Sequence, residues 1–140
     1  EVSTMEHDSL VDELFAIMRE FSKVPFQEHS RNFATGEMAI LFYLNSIQDG
    51  ATAGDICNYL QVTTGRIASA LNSLEKKNFI QRKTHEKDKR KVKVCITSYG
   101  RDYVLQNYDN GIVISKNVLE NLGEKDTKEF IRIVKKLMDI

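Results

Sequence analysis

The sequence predicts a mainly α-helical fold with one small β-hairpin, and three observations carry that prediction. Apolar residues recur at helical spacing over most of the 140 residues, and two short helical segments meet at a tight connection near Gln61. Between Phe79 and Thr97 the period then changes from helical to alternating before it turns helical again.

The first helix is expected after Ser9, an N-cap residue, with Leu10, Leu14, Ile17, Met18 and Phe21 forming one apolar stripe. It should end or kink near Pro25, the only proline, because a proline ring removes a backbone donor and clashes with the preceding turn. A second helix reads from an N-cap at Thr35 to about Gln48, with Met38, Leu41, Phe42 and Leu44 inward and Gly50 beyond its end.

Thr52 caps a short helix carrying Ile56, Tyr59 and Leu60, with Asp55 at its third position, where a negative charge suits the helix N-terminus. Gln61 and Val62 make the tight connection, and Thr63 caps a further helix, Thr64 to Asn78. Its apolar positions Ile67, Leu71 and Leu74 define one buried face. The opposite face displays Gly65, Ser69, Asn72 and Lys76, flanked by Thr64, Arg66, Ala68 and Ser73. These side chains are small or hydrogen-bonding, so this helix can approach another surface closely.

Phe79 to Lys83 and Lys91 to Thr97 read as two strands, with Val92, Val94 and Ile96 on one face of the second. A polar, basic turn from Thr84 to Arg90 joins them into a hairpin. Beyond it, a helix capped by Thr97 or Ser98 runs to about Leu122, its pattern interrupted at Gly111, and Gly123 ends it. A last amphipathic helix covers about Asp126 to Met138, with Phe130, Ile131, Val134, Leu137 and Met138 apolar.

The composition, 41% hydrophobic and 29% charged, suits a soluble globular chain of one domain. The longest apolar stretches, such as Met38 to Leu44, fall far short of the roughly 18–20 residues of a bilayer span. Glu1 to Ser9 is acidic and polar, without the features of an export signal, so the expected location is the cytoplasm. Cys57 and Cys95 form no CxxC pair and read as small buried apolar residues, with a thiol switch as the alternative. His7, His29 and His85 are isolated, which argues against a metal site; no cofactor is expected. Neither a phosphate loop, a nucleophile elbow nor a clustered acid–base set is present, so no enzymatic activity is expected.

Net charge is zero, yet Thr63 to Lys93 holds ten Lys and Arg against three acids, leaving the remainder acidic. Such a polarised field is the electrostatic footprint that a phosphate backbone requires; a solvated charged surface is the plainer reading. A short helix, a tight turn and a helix with a small polar outer face form the helix-turn-helix pattern, whose second helix enters the major groove of double-stranded DNA. The candidate DNA-binding residues on it are Thr63, Thr64, Arg66, Ser69, Asn72, Ser73 and Lys76, among which Arg pairs with guanine and Asn with adenine. The exposed face of any soluble helix would look similar, and the hairpin is what tips the balance. As a wing it adds Arg82, Lys87, Asp88, Lys89 and Arg90, of which Arg90 is the strongest candidate for the adjacent backbone or minor groove, with Asp88 placed to hold it. A basic face that meets an acidic protein partner is the competing function.

The chain resembles the multiple antibiotic resistance regulator (MarR) family of bacterial transcription factors. The resemblance lies in Leu60-Gln61-Val62-Thr63-Thr64-Gly65-Arg66-Ile67, Leu71 to Glu75, Phe79-Ile80-Gln81-Arg82, Asp88-Lys89-Arg90 and Ile96-Thr97-Ser98-Tyr99-Gly100. Ser69 stands where many members carry an arginine. The resemblance implies a winged helix-turn-helix lobe at about 36–97 and dimerisation helices at about 1–34 and 98–140, within a single winged-helix domain of 1–140. It also implies a homodimer on a pseudo-palindromic operator, acting as repressor or activator. A small-molecule effector is a further candidate partner, in a pocket lined by Phe21, Phe26, His29, Phe33 and Met38; core packing is the alternative for each of these residues.

Overall fold

A computed structural model describes the backbone from Thr4 and side chains from Glu6, through to Ile140; Glu1 to Ser3, part of the acidic start, lie outside the described residues. Among the described residues the order is α1 (Thr4–Phe21), α2 (Pro25–Thr35), α3 (Glu37–Ser46), α4 (Ala53–Leu60), α5 (Thr64–Lys76), β1 (Ile80–Thr84), β2 (Val92–Ile96), α6 (Ser98–Leu122) and α7 (Glu124–Met138). The mainly helical fold with a hairpin is the one expected. Several boundaries differ, each for a local reason.

Helix α1 starts before Ser9, which sits within it rather than capping it. Pro25 does more than end a helix. It starts α2, an element that the apolar pattern did not reveal, because a fixed φ and a missing N–H cost nothing at a first helical position. Thr35 is the last residue of α2, its hydroxyl donating to the Arg31 carbonyl at 3.3 Å, so the cap of α3 falls to Gly36 instead. Thr52 does cap α4, in a reciprocal box with Asp55: the Asp55 N–H donates to Thr52 Oγ1 at 3.1 Å and the Thr52 N–H to Asp55 Oδ2 at 3.0 Å.

The core is gathered in the centre of the chain. Ile40, Leu41 and Leu44 of α3 are buried among Ile56, Ile67, Leu71, Leu74, Phe79, Ile80, Val94, Ile96 and Val104. Phe42, expected inward, turns away and stacks on Tyr108 of α6, 5.8 Å between ring centres. Cys57 and Cys95 are half-buried rather than fully buried, and Cys57 packs against this core.

The hairpin is antiparallel, with Ile80 opposite Ile96, Arg82 opposite Val94 and Thr84 opposite Val92. Val94 and Ile96 are buried as the alternation requires, but Val92 is 45% exposed because its end of the strand projects past the core. Ala51 adds a third short edge: the Val94 N–H donates to its carbonyl at 2.7 Å. Thr97 caps α6, and Gly100 in its first turn packs so closely on the Phe79 carbonyl that a Cβ there would overlap it. Helix α6 runs unbroken through Gly111.

Candidate nucleic-acid interface

The central segment positions the site from the backbone upward. Gln61 takes a left-handed conformation (φ 55°) after α4, which turns the chain sharply enough for Thr63 to cap α5, accepting from the Arg66 N–H at 3.3 Å. With Ile67, Leu71 and Leu74 buried, the opposite face of α5 is fixed outward. Thr64, Gly65, Arg66, Ser69, Asn72 and Lys76 are exposed, as is the cap Thr63, while Ser73 is half-buried. The helix stops at Lys76, two residues short of the expected end, where Asn78 adopts a left-handed φ of 65° to lead into β1.

The wing is organised around Asp88. Its carboxylate accepts from the Arg90 backbone N–H and Nε, both at 3.1 Å, and from an Arg90 terminal nitrogen at 3.4 Å. The Arg90 hydrogen bonds hold the Asp88 carboxyl below its ordinary value. Arg90 itself is 91% exposed, so its guanidinium is oriented yet remains open to a partner. Lys87 and Lys89 are exposed beside it, and Lys83 and Lys91, which the motif reading passed over, add cations at the base of the turn. The local charge count contained their signal.

Arg82 is placed differently from the other wing cations. Lying two residues beyond the buried Ile80 on the same face of β1, it turns onto α5. One terminal nitrogen donates to Asn72 Oδ1 at 2.9 Å and the other lies 3.8 Å from Glu75 Oε1. Lys77 is likewise engaged, at 2.9 Å from Glu37.

A second network ties the lobe to the long helix. Asp49 Oδ1 accepts from the Ile96 N–H at 2.9 Å, and its Oδ2 pairs with Arg101 of α6 at 3.0 Å. Arg101 also donates to Asn45 Oδ1 at 3.2 Å. The sequence reading missed this group because its members come from three elements up to 56 residues apart.

Between α2 and α6 lies a cavity of about 190 Å³, lined by Phe26, His29, Ser30, Phe33, Tyr108, Gly111, Ile112 and Ser115. Three of the five expected pocket residues meet there. Phe21 lies in a neighbouring surface groove beside Val24 and Ile114, and Met38 is instead one of the side chains that α3 buries in the core of the lobe. His29 sits 3.1 Å from the Asn107 carbonyl and 5.1 Å from the Phe33 ring. Gly111 explains the interruption in the α6 pattern, since a Cβ there would run into the His29 ring. No group of side chains fit to hold a metal ion is found among the described residues. Nor, among them, is any helix long and apolar enough to cross a membrane.

A short helix, a sharp turn, an exposed polar helix and a basic hairpin define a DNA-binding lobe of the winged-helix class. Comparison with known proteins agrees: residues 37–110 match the winged helix DNA-binding domain family, and the chain belongs to it. The chain is 29% identical over 86 residues to YwhA of Bacillus subtilis, described as an uncharacterized HTH-type transcriptional regulator; the match covers 61% of this chain and 62% of that protein. It is 25% identical over 130 residues to the HTH-type transcriptional repressor YetL of the same organism, covering 90% of this chain and 77% of YetL. Among solved structures, the MepR–DNA complex of Staphylococcus aureus superposes with a TM-score of 0.66 at 22% identity, over 92% of this chain and 96% of MepR. The fold is that of MarR-type regulators, as the sequence resemblance implied.

Proposed function

We propose that this protein is a sequence-specific, dimeric transcriptional regulator of the cytoplasm that binds double-stranded DNA and is not an enzyme. The observation that carries the reading is the exposed polar face of α5 set beside an Arg90 guanidinium that a carboxylate holds in place while leaving it almost fully accessible. In this reading α5 enters the major groove, with Thr64, Arg66, Ser69, Asn72 and Ser73 toward base edges and Thr63 and Lys76 toward the backbone. Lys87, Lys89 and Arg90 reach the flanking minor groove or phosphates. The lobe at about 36–97 reads DNA, and α1, α2, α6 and α7 build the dimer.

The terminal helices support a dimer because, among the described residues, most of the large apolar side chains of α1 and α7 are left exposed. On α1, Leu10, Val11, Leu14, Phe15, Ile17 and Met18 are all exposed, and α1 packs only marginally on any other element. Helix α7 has no buried residue although Phe130, Ile131, Ile133, Val134, Leu137 and Met138 lie along it. The charges are complementary as well. Acids outnumber bases on α1, and bases outnumber acids on α7. Two such chains would place two α5 helices on a pseudo-palindrome with half-sites about one helical turn apart. The cavity between α2 and α6 is apolar with a few polar groups, which suits a small organic effector whose binding alters the separation of the lobes.

The test is the salt dependence of binding to a duplex selected from a random pool. The native chain should bind at sub-micromolar strength, with an affinity that falls steeply as salt rises. Arg90→Ala should weaken binding to all duplexes and lower the salt slope by about one for a lost phosphate contact. An unchanged slope and affinity would remove the wing from the mechanism. Absence of duplex binding in dilute buffer, with an acidic protein bound instead, would replace the reading altogether.

A further inference from the structure

The contact between Arg82 and Asn72 joins the wing to the face of α5 that is exposed for reading, and its chemistry restricts what that face can present. A guanidinium has hydrogen-bond donors and no acceptor, so the amide atom turned toward it must be the carbonyl oxygen. Asn72 Oδ1 accordingly accepts from Arg82 at 2.9 Å, while Glu75 holds the same guanidinium from its other nitrogen. The amide is thereby oriented. Its nitrogen, carrying two hydrogens, is the end left for a partner.

We infer that Arg82 is a positioning residue that sets base preference by fixing the Asn72 amide as a donor. This rests on the proposed docking of α5 in the major groove and deepens it. An asparagine pairs bidentately with adenine by accepting from N6 and donating to N7, which needs Oδ1 turned toward the base. With Oδ1 turned onto Arg82 and the amide nitrogen turned away from it, Asn72 is matched instead to the edge that offers two acceptors and no donor, N7 and O6 of guanine, whereas adenine offers N7 alone beside an N6 donor. The expectation that Asn72 reads adenine is therefore replaced by a preference for guanine. Arg82, grouped by sequence with the residues that touch DNA, acts through Asn72.

The experiment is duplex selection with the full chain and its variants, read at the base pair whose preference Asn72→Ala erases. The native chain should select a guanine–cytosine pair there. Arg82→Met frees the amide to rotate and should raise the share of adenine relative to guanine about tenfold, within the range of one base contact. Arg82→Lys, also a donor without acceptor, should retain the native preference. Combining Arg82→Met with Asn72→Ala should change that base pair no further than Asn72→Ala alone, as coupled residues do. If Arg82→Met does not fold, Arg82→Gln serves, because its own carbonyl can turn toward the Asn72 nitrogen. Native selection of an adenine–thymine pair, or an unchanged preference in both Arg82→Met and Arg82→Gln, overturns the inference while leaving α5 in the groove. Loss of no preference at any base pair in Asn72→Ala overturns the inference and the docking of α5 at Asn72 together.

Discussion

The central lobe and the two chain ends are equally rich in apolar residues but spend them differently. In α3, six of ten residues are buried, whereas α2 and α7 bury none. Leu41 is fully enclosed; Leu14 of α1 is 56% and Leu137 of α7 64% exposed. Burial of apolar surface is the main favourable contribution to folding, so the lobe is stabilised within one chain while the terminal helices have most of that stabilisation still to gain. An apolar surface this large on a chain with an otherwise charged exterior marks an interaction site. In the proposed reading, the contrast teaches that reading DNA and pairing subunits fall to separate parts, linked by α6 and by the Asp49–Arg101 bridge at its first turn.

That contrast can be broken from either side. The largest effect should come from placing charges on the terminal faces: Leu14→Asp with Leu137→Asp should yield monomers, and affinity for a two-half-site duplex should fall by about 10²–10⁴, because the second contact is no longer intramolecular. Sedimentation equilibrium and a duplex titration would show it, with the circular dichroism of the lobe unchanged. Next in size is Leu41→Ala, which should cost about 2–5 kcal/mol in denaturant unfolding through lost burial and the cavity left behind. Leu14→Ala should change the unfolding of a dilute, monomeric sample hardly at all, and equal losses from the two would remove the distinction between the regions.

The smallest effect concerns the wing. Asp88 titrates below the ordinary carboxylate range because Arg90 bonds its charged form, so the wing contact is present above the unfolded carboxylate value and is lost as pH falls through the lowered one. DNA affinity should therefore decline at acid pH in the native chain. Asp88→Asn should show a modest loss at neutral pH and no such decline from this group, checked by duplex titration across pH.

Much of this was legible in the sequence because the signals were local. The caps at Thr52, Thr63 and Thr97, the buried face of α5 and the Asp88–Arg90 pair each depend on residues two to seven apart, and the structure holds each of them. What the sequence hid was decided by tertiary packing. Helix α2 has only a broken apolar pattern of its own and is ordered against α3 and α6. The role of Gly111 depends on His29, far away in sequence, and the cavity wall of Tyr108, Ile112 and Ser115 follows from that approach. Met38 fits an apolar pocket as well as a core on composition alone, and only the direction of α3 decides between them. Arg82 looked like any other wing cation until the hairpin was folded against α5.

The most direct test of the central claim is the stoichiometry of the protein on its selected duplex, measured by sedimentation together with the free protein. The account requires two chains in solution and two chains on each duplex, with both half-sites protected about one helical turn apart. A single chain that binds a single half-site with the same affinity, its terminal helices unpaired, would contradict it.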